Sequence, residues 1–282
     1  MTNRTPFLAN HVRSVPGVTR AYTQCRHGQL HYRTAGPDDS DARVMVLLHQ
    51  NPASSFEYEP LIAELGRDRR VIAFDTPGYG MSDPPCQMLD IAGYSAAFAD
   101  GLDALGITGQ VDLYGFHSGT LLAVELGLQR SQQVRRLVLT GIPMFAPAER
   151  AERLRQAETQ PGPDEQGDTA RALFDMFWTY AVTKRDRRVP LDKAVWNFVD
   201  KSRAMHRYTG VYRAVWAWDY TRLALVNQPV LLLQPAEDLR DASISAAALL
   251  PDSKVREMPD LTSDIFDLAA ERLATEMRCF LD

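Results

Sequence analysis

"VDLYGFHSGT" (111–120) decides how the chain is read. An apolar run enters Gly115, the triplet Phe116-His117-Ser118 follows, Gly119 closes the turn, and "TLLAVELGL" continues with the composition of a helix. Strand, sharp turn and helix in that order carry the middle of the five residues to an exposed apex, often the place of a nucleophile. That residue is His117, which is neither Ser, Cys nor Asp. Taking Ser118 as the apex would put Phe116 and Thr120 at the flanking positions. Those positions need small residues, because strand and helix approach closely there. The apex is therefore His117, and Ser118 contributes a backbone N–H.

Outward from this turn, short apolar runs alternate with helix-like segments. The strands expected are 19–25 and 29–35, joined as a hairpin across "RHG", then 43–48, 70–75, 111–115, 135–141, 229–235 and 253–258. The middle runs are rich in Val, Leu and Ile without alternation, as strands buried on both faces of a parallel sheet are. "FEYEPLIAELG" (56–66) puts Tyr58, Leu61, Ile62 and Leu65 on one helical face, and 94–106, 120–130 and 271–281 also read as helices. The alternation predicts an α/β fold with right-handed crossovers. It breaks between Gly141 and Pro229. Residues 156–168 read as a polar, turn-rich loop, and the rest as helices carrying all four tryptophans. The domains expected are a core of 1–141 with 229–282 and a helical cap of 142–228. Most of the cap aromatics are expected to pack it against the sheet. Trp178, Trp216, Trp218 and Tyr180 are the candidates for lining an apolar pocket beneath it.

Composition narrows the partners. The chain has 282 residues, a formal net charge of −5, 45% hydrophobic and 24% charged residues, ordinary for a globular protein. The negative balance argues against nucleic acid or an anionic membrane surface. The nearest basic run, "KRDRR" (184–188), is interrupted by Asp186 and reads as a solvated loop or helix end. Cys25, Cys86 and Cys279 are far apart and odd in number, which fits neither a disulfide framework nor a zinc site and suits a reducing, cytoplasmic setting. The first residues lack the apolar core of a leader. A small-molecule substrate is the partner expected, with a homodimer left open. No cofactor and no metal are implied.

With these motifs in place the chain resembles the α/β-hydrolase superfamily over nearly its whole length. The resemblance implies an eight-stranded sheet opening on an antiparallel hairpin, with a helical cap after the sixth strand. "LLHQNPASS" (47–55) resembles the His-Gly-Asn-Pro loop of haloalkane dehalogenases, with Gln50, a further candidate for binding substrate, where glycine is usual. It implies that Asn51 faces the substrate, that His49 braces the loop, and that the oxyanion hole is formed by the Asn51 and Ser118 N–H groups. A dehalogenase would need an Asp at the elbow. "FDTPGYGMSD" (74–83) reads as structural. The resemblance puts the acid at Asp238, with Glu237 as its neighbour, and the catalytic histidine in "EMPDLTSDIFD" (257–267), where Ser263 stands instead. The triad positions therefore hold His117, Asp238 and Ser263.

Helix-dipole and apolar surroundings both disfavour an imidazolium at His117 and keep the ring fit to accept a proton, whereas an ionised Asp238 close by would favour the charged ring and fix its tautomer. Three functions follow. His117 activates water, or Ser263 in a triad with two members exchanged, against an ester, lactone or similar acyl group. Alternatively, it moves a proton while the hole stabilises an enolate, as in a lyase, isomerase, decarboxylase or cyclase. The third is a ligand-binding member without turnover. The fold accommodates all three.

Overall fold

The computed structural model describes residues 15–38 and 42–282; the reading of the first residues as leaderless falls mostly outside them. The strands are β1 (Thr19–Cys25), β2 (Gly28–Ala35), β3 (Val44–Leu48), β4 (Val71–Phe74), β5 (Val111–Phe116), β6 (Val134–Thr140), β7 (Val230–Pro235) and β8 (Ser253–Met258). They form one eight-stranded sheet in the order β1-β2-β4-β3-β5-β6-β7-β8. β2 pairs antiparallel with both β1 and β4, and the remaining neighbours are parallel.

The unbroken apolar runs have a simple cause. Successive side chains of a strand point to opposite faces, and here each face has its own core. Val46, Leu48 and Leu113 enter one core, while Met45, Leu47 and Tyr114 enter the other. α1 (Glu59–Leu65), entered through a tight turn at Ser55–Tyr58, covers the second face with Leu61, Ile62 and Leu65, all fully buried. Each such side chain contributes roughly 1.5–3 kcal/mol. α2 (Ile91–Ala104) is capped by Asp90, whose carboxylate accepts from the Gly93 N–H, and packs with α3 (Ser118–Gln129) on the first face.

Between β6 and β7 the chain leaves the sheet as α4 (Pro147–Thr159), α5 (Asp168–Trp178), α6 (Leu191–Ser202) and α7 (Thr209–Ala217). α5 runs on into a wider π-helical turn at Thr179–Thr183. Then α8 (Arg240–Ala247) lies on the first face and α9 (Ile265–Leu281) on the second. The loop expected over 156–168 is shorter. α4 extends to Thr159, supported by Arg153–Glu149 and Arg155–Glu152 pairs three and four residues apart. α5 and α6 share a small core of their own around Phe177 and Phe198, and α7 joins the main core through Val211 and Val215.

The insertion is tied down over the loops at the carboxyl ends of the strands. Tyr79 donates to the Arg207 carbonyl, Ser54 to Asp200, and the Asp186 N–H to the Asp264 carboxylate. That last bond shows that "KRDRR" is more than a solvated run: Asp186 fastens it to the loop before α9.

Candidate active site

The elbow is set by backbone. β5 ends at Phe116, α3 begins at Ser118, and His117 between them takes φ 50° and ψ −116°. A non-glycine residue held there costs about 1–3 kcal/mol. Its N–H donates to the Thr140 carbonyl at 2.8 Å, and its own carbonyl accepts from the Thr120 N–H at 2.9 Å. The flanking glycines are demanded by contact. A Cβ on Gly119 would run into the Leu48 carbonyl, and one on Gly115 into the Gly119 carbonyl.

His117 Nε2 lies 2.7 Å from Glu237 Oε2, with side-chain exposures of 19% and 11%. A carboxylate only accepts, so the network assigns the proton to Nε2 and leaves Nδ1 as the basic nitrogen. Nδ1 has no partner among the described residues and is not sealed from solvent. The Phe116 ring stacks on the imidazole at 3.9 Å between centroids. Gly141, at φ +73°, leaves room for the pair: a Cβ there would lie 2.5 Å from His117 Cδ2 and 2.6 Å from Glu237 Oε1. The buried Gln234 donates weakly to Glu237 Oε1 at 3.4 Å.

Two expected triad positions are corrected. Asp238 is exposed and makes no contact with His117; Glu237, one residue earlier in the turn after β7, occupies that place. Ser263 is also exposed, and its hydroxyl donates to the adjacent Asp264 rather than meeting His117. The exchanged triad is therefore not assembled. What forms is a His–Glu dyad.

The oxyanion loop also differs from expectation. The Asn51 N–H donates to Ser118 Oγ at 2.7 Å, so the side chain of one hole residue occupies the donor of the other. The Ser118 N–H, at the head of α3, has no acceptor among the described residues. The Asn51 amide side chain donates to the Tyr208 carbonyl, and the Asn51 backbone carbonyl accepts from the Tyr212 hydroxyl. Gln50 is turned away from a substrate role. Its N–H and its side-chain amide both donate to Glu57, at 3.1 and 2.8 Å. Burial pushes the Glu57 carboxyl up; nearby Lys201 and the bonds from Gln50 pull against it. His49 does brace the loop: Thr76 N–H donates to its Nε2, so Nδ1–H donates to the Gln50 carbonyl at 2.7 Å.

Beneath this loop is a second buried pair, His31 Nδ1 to Asp75 Oδ2 at 2.7 Å. Asp75 also accepts from the Ser55 N–H and hydroxyl and the Met81 N–H, so it joins the loops after β3 and β4. Burial raises its pKa, but His31 and then the Ser55 bond outweigh this and hold it at about 2.

The aromatic candidates separate. Trp218 is buried and donates to Glu125, a structural contact with α3, and Trp178 packs in the cap's own core with Phe174 and Phe198. Trp216 stacks parallel to Tyr212, which in turn holds Asn51. Tyr180 keeps 53% of its surface accessible. Of the four candidates it is the one with an exposed ring. Sequence reasoning missed Glu57 and Lys201, both in this region. Among the described residues no cluster of three His, Cys, Asp or Glu side chains is arranged to hold a metal ion, and no helix is long and apolar enough to cross a membrane.

Comparison with known proteins agrees with the fold. Residues 43–261 match the family model for the alpha/beta hydrolase fold. A cis-3-alkyl-4-alkyloxetan-2-one decarboxylase of Xanthomonas campestris is 33% identical over 124 residues, covering 41% of each chain. A haloalkane dehalogenase of Mycobacterium marinum is 36% identical over 86 residues, 30% of this chain and 26% of that one. The chain thus matches less than half the length of these relatives. Among solved structures, the enol-lactonase of Burkholderia xenovorans superposes with a TM-score of 0.75 at 22% identity, over 93% of this chain and 99% of that one. An epoxide hydrolase of Vigna radiata gives 0.76 at 17%, over 95% and 99%. At these identities the superpositions speak to fold.

Proposed function

The chain belongs to the α/β-hydrolase fold family, and from that premise we propose that it is an enzyme using the His117–Glu237 dyad as general base on a small, largely apolar or aromatic ester or lactone. The observation that carries this is the 2.7 Å contact to Glu237, which fixes the imidazole with Nδ1 unpartnered. Nδ1 takes a proton from water, and the water oxygen attacks the acyl carbon. The Ser118 N–H receives the developing oxyanion, and the departing alkoxide recovers the proton. One water is consumed and an acid and an alcohol are formed. General-base assistance of this kind contributes about 10²–10⁴-fold. No serine route is included, because such a nucleophile needs the imidazole within hydrogen-bond reach, and Ser263 is exposed and bonded to Asp264 instead. Turnover of short aryl esters and lactones that disappears in His117→Ala supports the proposal; turnover unchanged in that variant refutes it.

A second reading is proton transfer at a carbon acid, by a lyase, decarboxylase or isomerase. It draws on the same nitrogen and on the engaged Asn51 N–H, which leaves a single backbone donor for an acyl oxyanion. The Xanthomonas relative, a decarboxylase, is in keeping with it. Solvent deuterium entering a ketone-like ligand, with no ester turnover, selects this reading over hydrolysis.

A further inference from the structure

Lys201 sits near the end of α6 and is only 7% exposed. Its ammonium makes one long hydrogen bond, 3.4 Å to the Pro52 carbonyl in the oxyanion loop, and lies 5.3 Å from the centre of the Tyr180 ring. No carboxylate among the described residues is within ion-pair distance of it. An ammonium has three donors, so two are unspent. Buried lysines are rarely left unpaired, because burying the charge alone is costly.

The neighbouring carboxyls do not answer the need. Glu57 feels Lys201 more than any other charge, yet its two oxygens are bonded to Gln50. Asp200 accepts from the Ser54 hydroxyl. Pro52, which the ammonium touches, follows Asn51, whose N–H is bonded to Ser118 beside His117. The ammonium therefore reaches from the cap to the loop that adjoins the dyad, with the half-exposed Tyr180 ring next to it.

We infer that Lys201 binds a carboxylate carried by the substrate, so that the compound acted on is a small apolar or aromatic ester or lactone bearing a free acid group. This rests on the reading of His117–Glu237 as the base of that site. The polar end is held by the cap, the aromatic body lies against Tyr180, and the reacting carbonyl is presented to the elbow.

The test is calorimetric, on the full chain, with phenylacetate and the neutral phenylacetamide as probes. The wild type is expected to bind phenylacetate at least about tenfold more tightly, a difference of ~1.4 kcal/mol. Lys201→Met is expected to remove that preference and to raise the melting temperature, since an apolar side chain replaces a buried charge. Lys201→Arg is expected to retain part of the preference. Equal binding of the two probes by the wild type overturns the inference without recourse to any variant, and so does a preference that persists in a folded Lys201→Met protein. His117→Ala separates the two proposals. It should keep the phenylacetate preference while losing ester turnover. Turnover surviving in His117→Ala removes the dyad and leaves the carboxylate site standing; an absent preference removes Lys201 and leaves the dyad.

Discussion

Replacing Glu237 by Gln tests the dyad with the least disturbance of shape. The 2.7 Å contact carries two consequences. The carboxylate stabilises positive charge arriving on the ring, and, as an obligate acceptor, it fixes the proton on Nε2. A glutamine amide can donate to Nε2 instead, moving the ring proton to Nδ1 and removing the basic nitrogen. The dyad is partly shielded, so the attraction is not that of a surface pair. The expected loss in kcat/KM is about 10²–10⁴-fold, or ~2.7–5.5 kcal/mol of transition-state stabilisation. KM should change little, because nothing that positions the substrate is removed. The assay is steady-state hydrolysis of an aryl ester, with Asp238→Asn as the control: that carboxylate is exposed and clear of the ring, and its loss should change kcat/KM by less than roughly twofold, as for a surface substitution. Refutation comes from the reverse pattern, an inert Glu237→Gln and a damaging Asp238→Asn. Such a result would mean that the working loop swings Asp238 inward and that the contact described is a resting arrangement.

The other expectations are narrower. Ser263→Ala should leave ester turnover within about twofold, and a loss of the size seen in His117→Ala would restore the exchanged triad. Gly141→Ala should cost ~1–3 kcal/mol in chemical denaturation and reduce turnover, because the new methyl meets both His117 and Glu237; unchanged stability and rate would show that the pair has room to move. Asp75 titrates below its unfolded value of 3.8, at about 2, so its contribution is complete above pH 4 and is lost as pH falls through 2. That contribution is ~2 kcal/mol. Asp75→Asn should therefore lower stability at pH 7 by about 3–5 kcal/mol and flatten the dependence of melting temperature on pH between 4 and 2; a variant with the wild-type slope there removes Asp75 as the titrating group.

The sheet was legible because burial on both faces leaves a direct trace: every residue of β4, β5 and β7 is buried, and only Asp112, paired with Arg135, and Gln234 interrupt their apolar composition. The acid was not, because Glu237 and Asp238 are adjacent carboxylates in one turn, and only the backbone decides which of them faces β5. The Ser263 position was inferred from the match of its surrounding phrase, which fixes where a loop lies but not what its side chain touches. The cap tryptophans are spread around short helices, so residue type alone does not separate Trp218, bonded to Glu125, from Tyr180. Lys201 did leave a signal. α6 buries Ala194, Phe198 and Lys201, the i, i+4, i+7 stripe of a core-facing helix. A lysine on that stripe is the kind of break in pattern that marks a site.

The elbow alone assigns no chemistry. Gly115, Gly119 and the Thr140 carbonyl hold the turn whatever side chain stands at its apex. Exchanging the apex residue leaves that frame intact, so family membership is preserved while the reaction is free to change. What gives His117 a role is the set of groups delivered to it by elements distant in sequence. Glu237 comes from the turn after β7, Ser118 Oγ closes the Asn51 donor, and Tyr180 and Lys201 come from the π-helical turn after α5 and from α6. On the proposed reading, a base backed by a carboxylate, one open backbone donor and an unspent ammonium at the oxyanion loop are suited to moving a proton at the carbonyl end of an anionic molecule. They are poorly suited to forming an acyl-serine, for which neither Ser118 nor Ser263 has the necessary partner.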